Sequence, residues 1–122
     1  MGDRGNIVLR FTEKGQAKDI YLYTHWGGSE IGERLKSALE AGEDRWDDGP
    51  YLGRVIFQAL VGDDDGVTGF GISPFVCDNE HDFLVVDMDG GKTVTKEHRT
   101  NRSVIQKWTF DEFVKLAAPV EE

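Results

Sequence analysis

A chain of 122 residues is the length of one domain and leaves no room for a two-domain catalytic machine. Its 14 Lys and Arg stand against 23 Asp and Glu, and the resulting charge of -9 is opposite in sign to the basic footprint needed for binding through nucleic-acid phosphates, so direct nucleic-acid binding is not expected. Hydrophobic residues make up 39% of the chain, with three Trp, seven Phe and three Tyr, enough for a packed core and too many for an acidic disordered tail.

Residues 6 to 12 alternate, with Ile7, Leu9 and Phe11 on one face and Val8, Arg10 and Thr12 on the other, the period of a half-buried strand. Glu13-Lys14-Gly15-Gln16 turns the chain into a second strand from about Lys18 to Trp26. In it Ile20, Leu22, Thr24 and Trp26 face one way and Tyr21, Tyr23 and His25 the other. Gly27-Gly28 breaks that strand, and Ser29 is the expected cap of a helix over residues 29 to 41 with Ile31, Leu35, Ala38 and Leu39 as its apolar stripe. Asp47-Asp48-Gly49-Pro50 is a second start signal, and Leu52, Val55, Ile56, Ala59 and Leu60 repeat at helical spacing up to Gly62. Gly53 inside this helix costs about 1 kcal/mol relative to Ala, which close packing against another backbone would explain.

After the charged run Asp63-Asp64-Asp65-Gly66, strands are expected at Phe70 to Val76 and Asp82 to Met88. Asp89-Gly90-Gly91 is a tight-turn signal returning the chain into a strand from Lys92 to about Lys96. Glu97 to Arg102 reads as a loop, with His98, Arg99 and Arg102 as a local basic patch, and Val104 to Trp108 as a last short strand. Thr109 and Glu112 form a capping box for a helix whose apolar side is Phe110, Phe113, Val114 and Ala117, ended by Pro119. The order strand pair, helix pair, strand group, helix predicts a single α+β domain over residues 1–122, an antiparallel sheet with helices on one face.

The lone Cys77 excludes a disulfide framework within the chain and fits a reducing, cytoplasmic setting. No apolar run approaches the ~20 residues that span a bilayer, so no membrane partner is expected. Three clusters could carry chemistry. His25-Trp26-Gly27-Gly28-Ser29 joins a strand end to a helix start, where free N–H groups can hold an anion and exposed aromatic faces a flat ring; the plain alternative is that the glycines only turn the chain. Arg45-Trp46-Asp47-Asp48 places two carboxylates beside a guanidinium, against the alternative of one Asp capping the second helix and Trp46 packing as a staple. Cys77-Asp78-Asn79-Glu80-His81-Asp82 is rich in ligand atoms, yet one Cys does not make a tetrahedral zinc site, and a surface loop is the simpler reading. Asp63-Asp64-Asp65-Gly66 lacks the alternating ligands of a calcium loop. No cofactor or metal is predicted.

The blocks Tyr21-Leu22-Tyr23-Thr24-His25-Trp26-Gly27-Gly28, Arg45-Trp46-Asp47-Asp48 and Thr68-Gly69-Phe70-Gly71-Ile72-Ser73 resemble those of a group of small, uncharacterised proteins from actinobacteria, haloarchaea and their phages. The resemblance runs to about Met88 and implies a prokaryotic or viral cytoplasmic protein. A phage setting would favour one that sequesters a small molecule or inhibits a host factor.

The leading expectation is a non-catalytic binding module. It takes a small polar or nucleotide-like ligand at a cleft made by Tyr23, His25, Trp26, Gly27, Gly28, Arg45, Trp46, Asp47 and Asp48. The alternative is a small hydrolase or lyase using His25 or His81 as base with Asp47 or Asp48 as its partner. A third reading needs only the charge: an acidic surface that occupies a basic host protein. The many large aromatics in so small a domain also make self-association an expectation.

Overall fold

The computed structural model describes residues 2–63 and 68–116. Asp64, Asp65 and Gly66 of the acidic run, and Ala117 and Pro119 of the expected last helix, lie outside them. The chain opens with an antiparallel hairpin of β1 (Gly5–Glu13) and β2 (Gln16–Thr24), closed by Lys14 and Gly15, both at positive φ. A 3₁₀ turn, Gly28–Glu30, leads into α1 (Ile31–Ala41), and a second, Glu43–Arg45, leads to α2 (Gly49–Val61). Then come β3 (Phe70–Ser73), β4 (Phe83–Asp87), β5 (Thr93–Glu97), β6 (Val104–Thr109) and the short α3 (Phe110–Val114).

These strands form one six-stranded sheet in the order β3-β2-β1-β4-β5-β6. The expectation of an antiparallel sheet is corrected here: β4 pairs with β1 in parallel, Ile7 opposite Leu84 and Leu9 opposite Val86, so the sheet is mixed. The physical reason is non-local. Strands β3 and β4 lie on opposite sides of the first hairpin and run in the same direction, so residues 74–82 must carry the chain back past β2 and β1 before β4 begins. Fully buried Asn6 holds that crossing, its Nδ2 donating to the Asp78 carbonyl at 2.9 Å.

The helices cover one face, where Ile7, Leu9, Leu22, Leu84 and Val86 pack against Leu35, Leu39, Leu52, Ile56 and the two phenylalanines of α3. Helix α2 comes close to the sheet because two of its glycines face it. A Cβ on Gly49 would stand 2.6 Å from the Met88 carbonyl oxygen, while one on Gly53 would stand 3.2 Å from a Leu9 methyl, a side-chain contact in place of the expected backbone approach. Asp48 caps α2 by accepting from the Tyr51 N–H, and Thr109 and Glu112 form the expected capping box on α3. Ser29 does not cap α1; Glu30 stands at that position, and Ser29 is drawn to Asp3.

The other sheet face carries a second, smaller core of Val8, Tyr21, Phe83 and Val85. Its roof is ionic. Arg10 reaches Asp19 at 2.8 Å and Glu97 at 2.9 Å, while Arg102 reaches Glu97 at 2.9 Å and donates to the Tyr21 hydroxyl at 2.8 Å. The Arg102 guanidinium lies 4.3 Å over the Phe83 ring, so its charge is paired at the edges while its plane covers apolar surface. The patch read as His98, Arg99 and Arg102 is thus largely neutralised, since Arg99 pairs with Asp82. Among the described residues no helix is long and apolar enough to cross a membrane.

Candidate functional site

The predicted site residues fall into two groups at opposite ends of the helix pair. Helices α1 and α2 are antiparallel: Gly42 at the end of α1 lies beside Leu52 and Val55 of α2, and Arg34 near the start of α1 lies beside Gly62 at the end of α2. Tyr23, His25, Trp26, Gly27 and Gly28 therefore sit at one end, and Arg45, Trp46, Asp47 and Asp48 at the other. They do not share a cleft.

At the first end the N-terminal segment fills the space a ligand would need. The Gly28 N–H donates to the Asp3 carbonyl at 2.7 Å, the Ser29 N–H and hydroxyl both donate to the Asp3 carboxylate, and the Gly27 N–H donates to the Thr24 hydroxyl at 3.0 Å. The free amides of the anion-site reading are thus all occupied. Gly28 is glycine because the His81 ring and the Asp3 carbonyl stand where its Cβ would be. His81 bonds the other oxygen of Asp3 through Nε2. Burial alone would raise the Asp3 carboxyl, but the two Ser29 bonds and His81 more than reverse this and hold it below the usual range.

Ser29 and His81 thus bind opposite oxygens of one carboxylate, with the imidazole on the far side of it from the hydroxyl. His25 accepts or donates through Nδ1 to the Tyr23 hydroxyl at 2.8 Å and meets the Trp26 ring edge-on. Burial, and then the Asp78 charge, raise the Tyr23 phenol. Trp26 is 53% exposed and lies on the backbone of Gly69, where any Cβ would collide with its ring. Cys77 is exposed with the Ser73 hydroxyl nearby, and His81 is committed to Asp3. Among the described residues no three His, Cys, Asp or Glu side chains gather as a metal-binding group.

At the second end three of the four residues have structural work. Trp46 donates from Nε1 to the Leu39 carbonyl at 2.9 Å and packs edge-on against Phe110. Asp47 pairs with Lys92 at 3.2 Å, and Asp48 caps α2. Arg45 differs. Its guanidinium lies 4.7 Å over the ring of Tyr51, and among the described residues it is the arginine whose guanidinium has no protein acceptor: Arg4, Arg10, Arg34, Arg99 and Arg102 meet carboxylates, and Arg54 donates to Gln58.

Arg45 and Tyr51 stand at the mouth of a groove of about 640 Å³ along the solvent side of the helix pair. Small side chains, Ala38 and Ala41 of α1 and Ala59 of α2, form its floor with Val55, while Gln58, Asp44 and Asp63 stand along its length. The volume lies in the range of small-molecule sites, which are mostly apolar with a few placed polar groups. Sequence reasoning missed Tyr51 and this floor. Their signal was the spacing Tyr51, Val55, Ala59, Gly62, a helical stripe that runs beside the core stripe Leu52, Ile56, Leu60.

A smaller cleft of about 290 Å³ adjoins the groove at the other end, lined by Thr24, Trp26, Arg34, Leu60 and Phe70 among others. The guanidinium beside Trp26 is therefore that of Arg34, not of Arg45. Comparison with family models, with curated proteins and with solved structures returns no match, so the geometry alone carries the functional reading.

Proposed function

We propose that the protein is a non-catalytic binding module whose site is the α1–α2 groove, and that its ligand is a small molecule with a planar ring and an anionic group. The observation that carries this reading is Arg45: a guanidinium stacked on Tyr51 in the lining of the α1–α2 groove, with no acceptor for its N–H groups among the described residues. Arg45 is exposed, and no carboxylate of the described residues takes its N–H groups, whereas Arg10, Arg99 and Arg102 each meet one. Left open, the planar fork suits a carboxylate or phosphate bound through two N–H groups. The Tyr51 ring already carries Arg45 at 4.7 Å and Arg54 at 5.1 Å, so a flat ring would stack on the outer plane of the Arg45 guanidinium, with the alanines of the groove taking the apolar body.

Binding is favoured over hydrolysis because His25 and His81 lie at the start of α1, at the opposite end of the helix pair from Asp47 and Asp48, and because the Asp3 carboxylate between Ser29 and His81 ties the N-terminal segment to the start of α1. The test is a calorimetric screen of aromatic carboxylates and mononucleotides, with Arg45→Ala and Arg45→Lys compared on each hit. Losing one charge-assisted contact costs roughly 1.5 to 3 kcal/mol, so Arg45→Ala should weaken binding about ten- to a hundredfold at unchanged melting temperature. Arg45→Lys should restore little, because an ammonium neither stacks nor forks. Hits that bind both variants like the wild type would remove Arg45 from the site.

A further inference from the structure

The groove of Arg45 and the cleft of Trp26 lie on one continuous track. Glu30, Arg34, Ala38, Ala41 and Arg45 follow one another at steps of three and four residues along one side of α1 and its extension, the first two lining the cleft and the last three lining the groove. Asp63 lines both. Where they meet, Gly62 at positive φ leaves the room that Arg34 uses: a Cβ there would stand 2.6 Å from Nη1. The Arg34 guanidinium thus lies at the junction, restrained by Glu30 at 3.4 Å in an exposed pair of the kind that contributes little. Each end of the track offers an aromatic ring on an open face of the molecule, Tyr51 at 42% exposure and Trp26 at 53%. The eleven residues of α1, at a rise of about 1.5 Å each, set the two ends ~16 Å apart.

From this juxtaposition we infer that the groove and the cleft are two subsites for one elongated ligand with two planar rings joined through a phosphate, a dinucleotide. The inference rests on the proposed reading of the groove and names its ligand class. One ring stacks at Tyr51 and Arg45, the second at Trp26, and the linking phosphate meets Arg34 at the junction. A single planar ring with its phosphate fills one end and leaves the other aromatic unused. The terminal phosphate meets Arg45, and the carboxylates of Asp44, Asp63 and Glu30 along the same track oppose charge beyond that and the link, which selects a single linking phosphate over a polyphosphate bridge.

The experiment is calorimetry of the full chain with adenosine 5′-monophosphate and with the 5′-phosphorylated adenine dinucleotide pApA, on the wild type and on Trp26→Ala, Arg34→Gln and Glu30→Gln. The dinucleotide should bind at least tenfold more tightly than the mononucleotide. That advantage should collapse in Trp26→Ala, since stacking one base is worth roughly five- to a hundredfold, and again in Arg34→Gln, where an exposed side chain is replaced without risk to the core. Glu30→Gln, which frees Arg34, should tighten the dinucleotide about two- to fivefold. Equal binding of the two nucleotides, with Trp26→Ala and Arg34→Gln silent while Arg45→Ala still weakens both, would overturn the two-subsite inference and leave the Arg45 site standing. Binding of neither nucleotide would overturn the dinucleotide class, and the aromatic-carboxylate screen would then decide the Arg45 reading separately.

Discussion

Glu97 is 5% exposed and accepts from two arginines, and it gathers Arg10, Arg102 and, through them, Asp19 over the second core. The bonds to Asp19 and Glu97 outweigh the burial of Arg10 and raise its guanidinium further above its ordinary value, so it stays charged at every pH at which the fold persists. Removing the shared acceptor leaves Asp19 as the counter-charge for both guanidiniums, and Arg102 then keeps a carboxylate only at 3.5 Å. Glu97→Ala should therefore cost about 1 to 3 kcal/mol of stability in urea unfolding. A midpoint unchanged from wild type would mean that the roof is ornamental and that solvent satisfies both arginines. Gly90 stands at φ +87 with open space where a Cβ would go, so strain is the whole cost of substitution there. Gly90→Val should lower stability by roughly 1 to 2 kcal/mol, read as a fall in melting temperature. An unchanged melting curve would show that the turn relaxes at no cost.

At the scale of elements, what was legible in the sequence was what is local. The alternation over residues 6 to 12 corresponds to β1, the Pro50 start signal to α2, and Thr109 with Glu112 to the cap of α3. Period, cap and turn each depend on residues within one element, so a single sequence displays them. The parallel pairing of β1 with β4 does not, because it depends on where residues 74–82 cross, and the anchor is Asn6, a polar side chain that a strand pattern would place in solvent. The site divided the same way. Asp48 as a cap and Trp46 as a packing residue follow from neighbours in sequence, whereas the groove that Arg45 shares with Val55, Ala59 and Asp63 follows from how α2 lies along α1.

The loop ties also predict a pH dependence. Burial alone would raise the Asp82 carboxyl, but the N–H and guanidinium of Arg99 more than reverse this and hold it below its ordinary value, as Ser29 and His81 do for Asp3. A depressed carboxyl contributes stability that is complete above the unfolded value of about 3.9 and is lost as pH falls through the lower folded value. Stability should thus decline on acidification below about pH 4, and Asp82→Asn should be weaker at pH 7 with a shallower decline. An Asp82→Asn curve parallel to wild type at every pH would remove the carboxylate from that role.

For the whole molecule, the net charge of -9 is spread over a frame whose arginines are mostly spent holding it together. On the proposed reading composition is a poor guide to the ligand: the overall sign repels anions, while the Arg45 guanidinium, without a protein acceptor among the described residues, would take one locally. Ligand capture by this charge pattern should weaken with added salt less than binding by a basic surface does, since one local contact and stacking carry it. The Arg45 site is tested by an amide NMR titration of the full chain with adenosine 5′-monophosphate, run on the wild type and on Arg45→Ala. Shifts should concentrate at Ala38, Ala41, Tyr51, Val55 and Ala59 and be lost in the variant. Shifts gathered on the sheet face of Arg10 and Lys107, or an Arg45→Ala spectrum that moves as the wild type does, would contradict it.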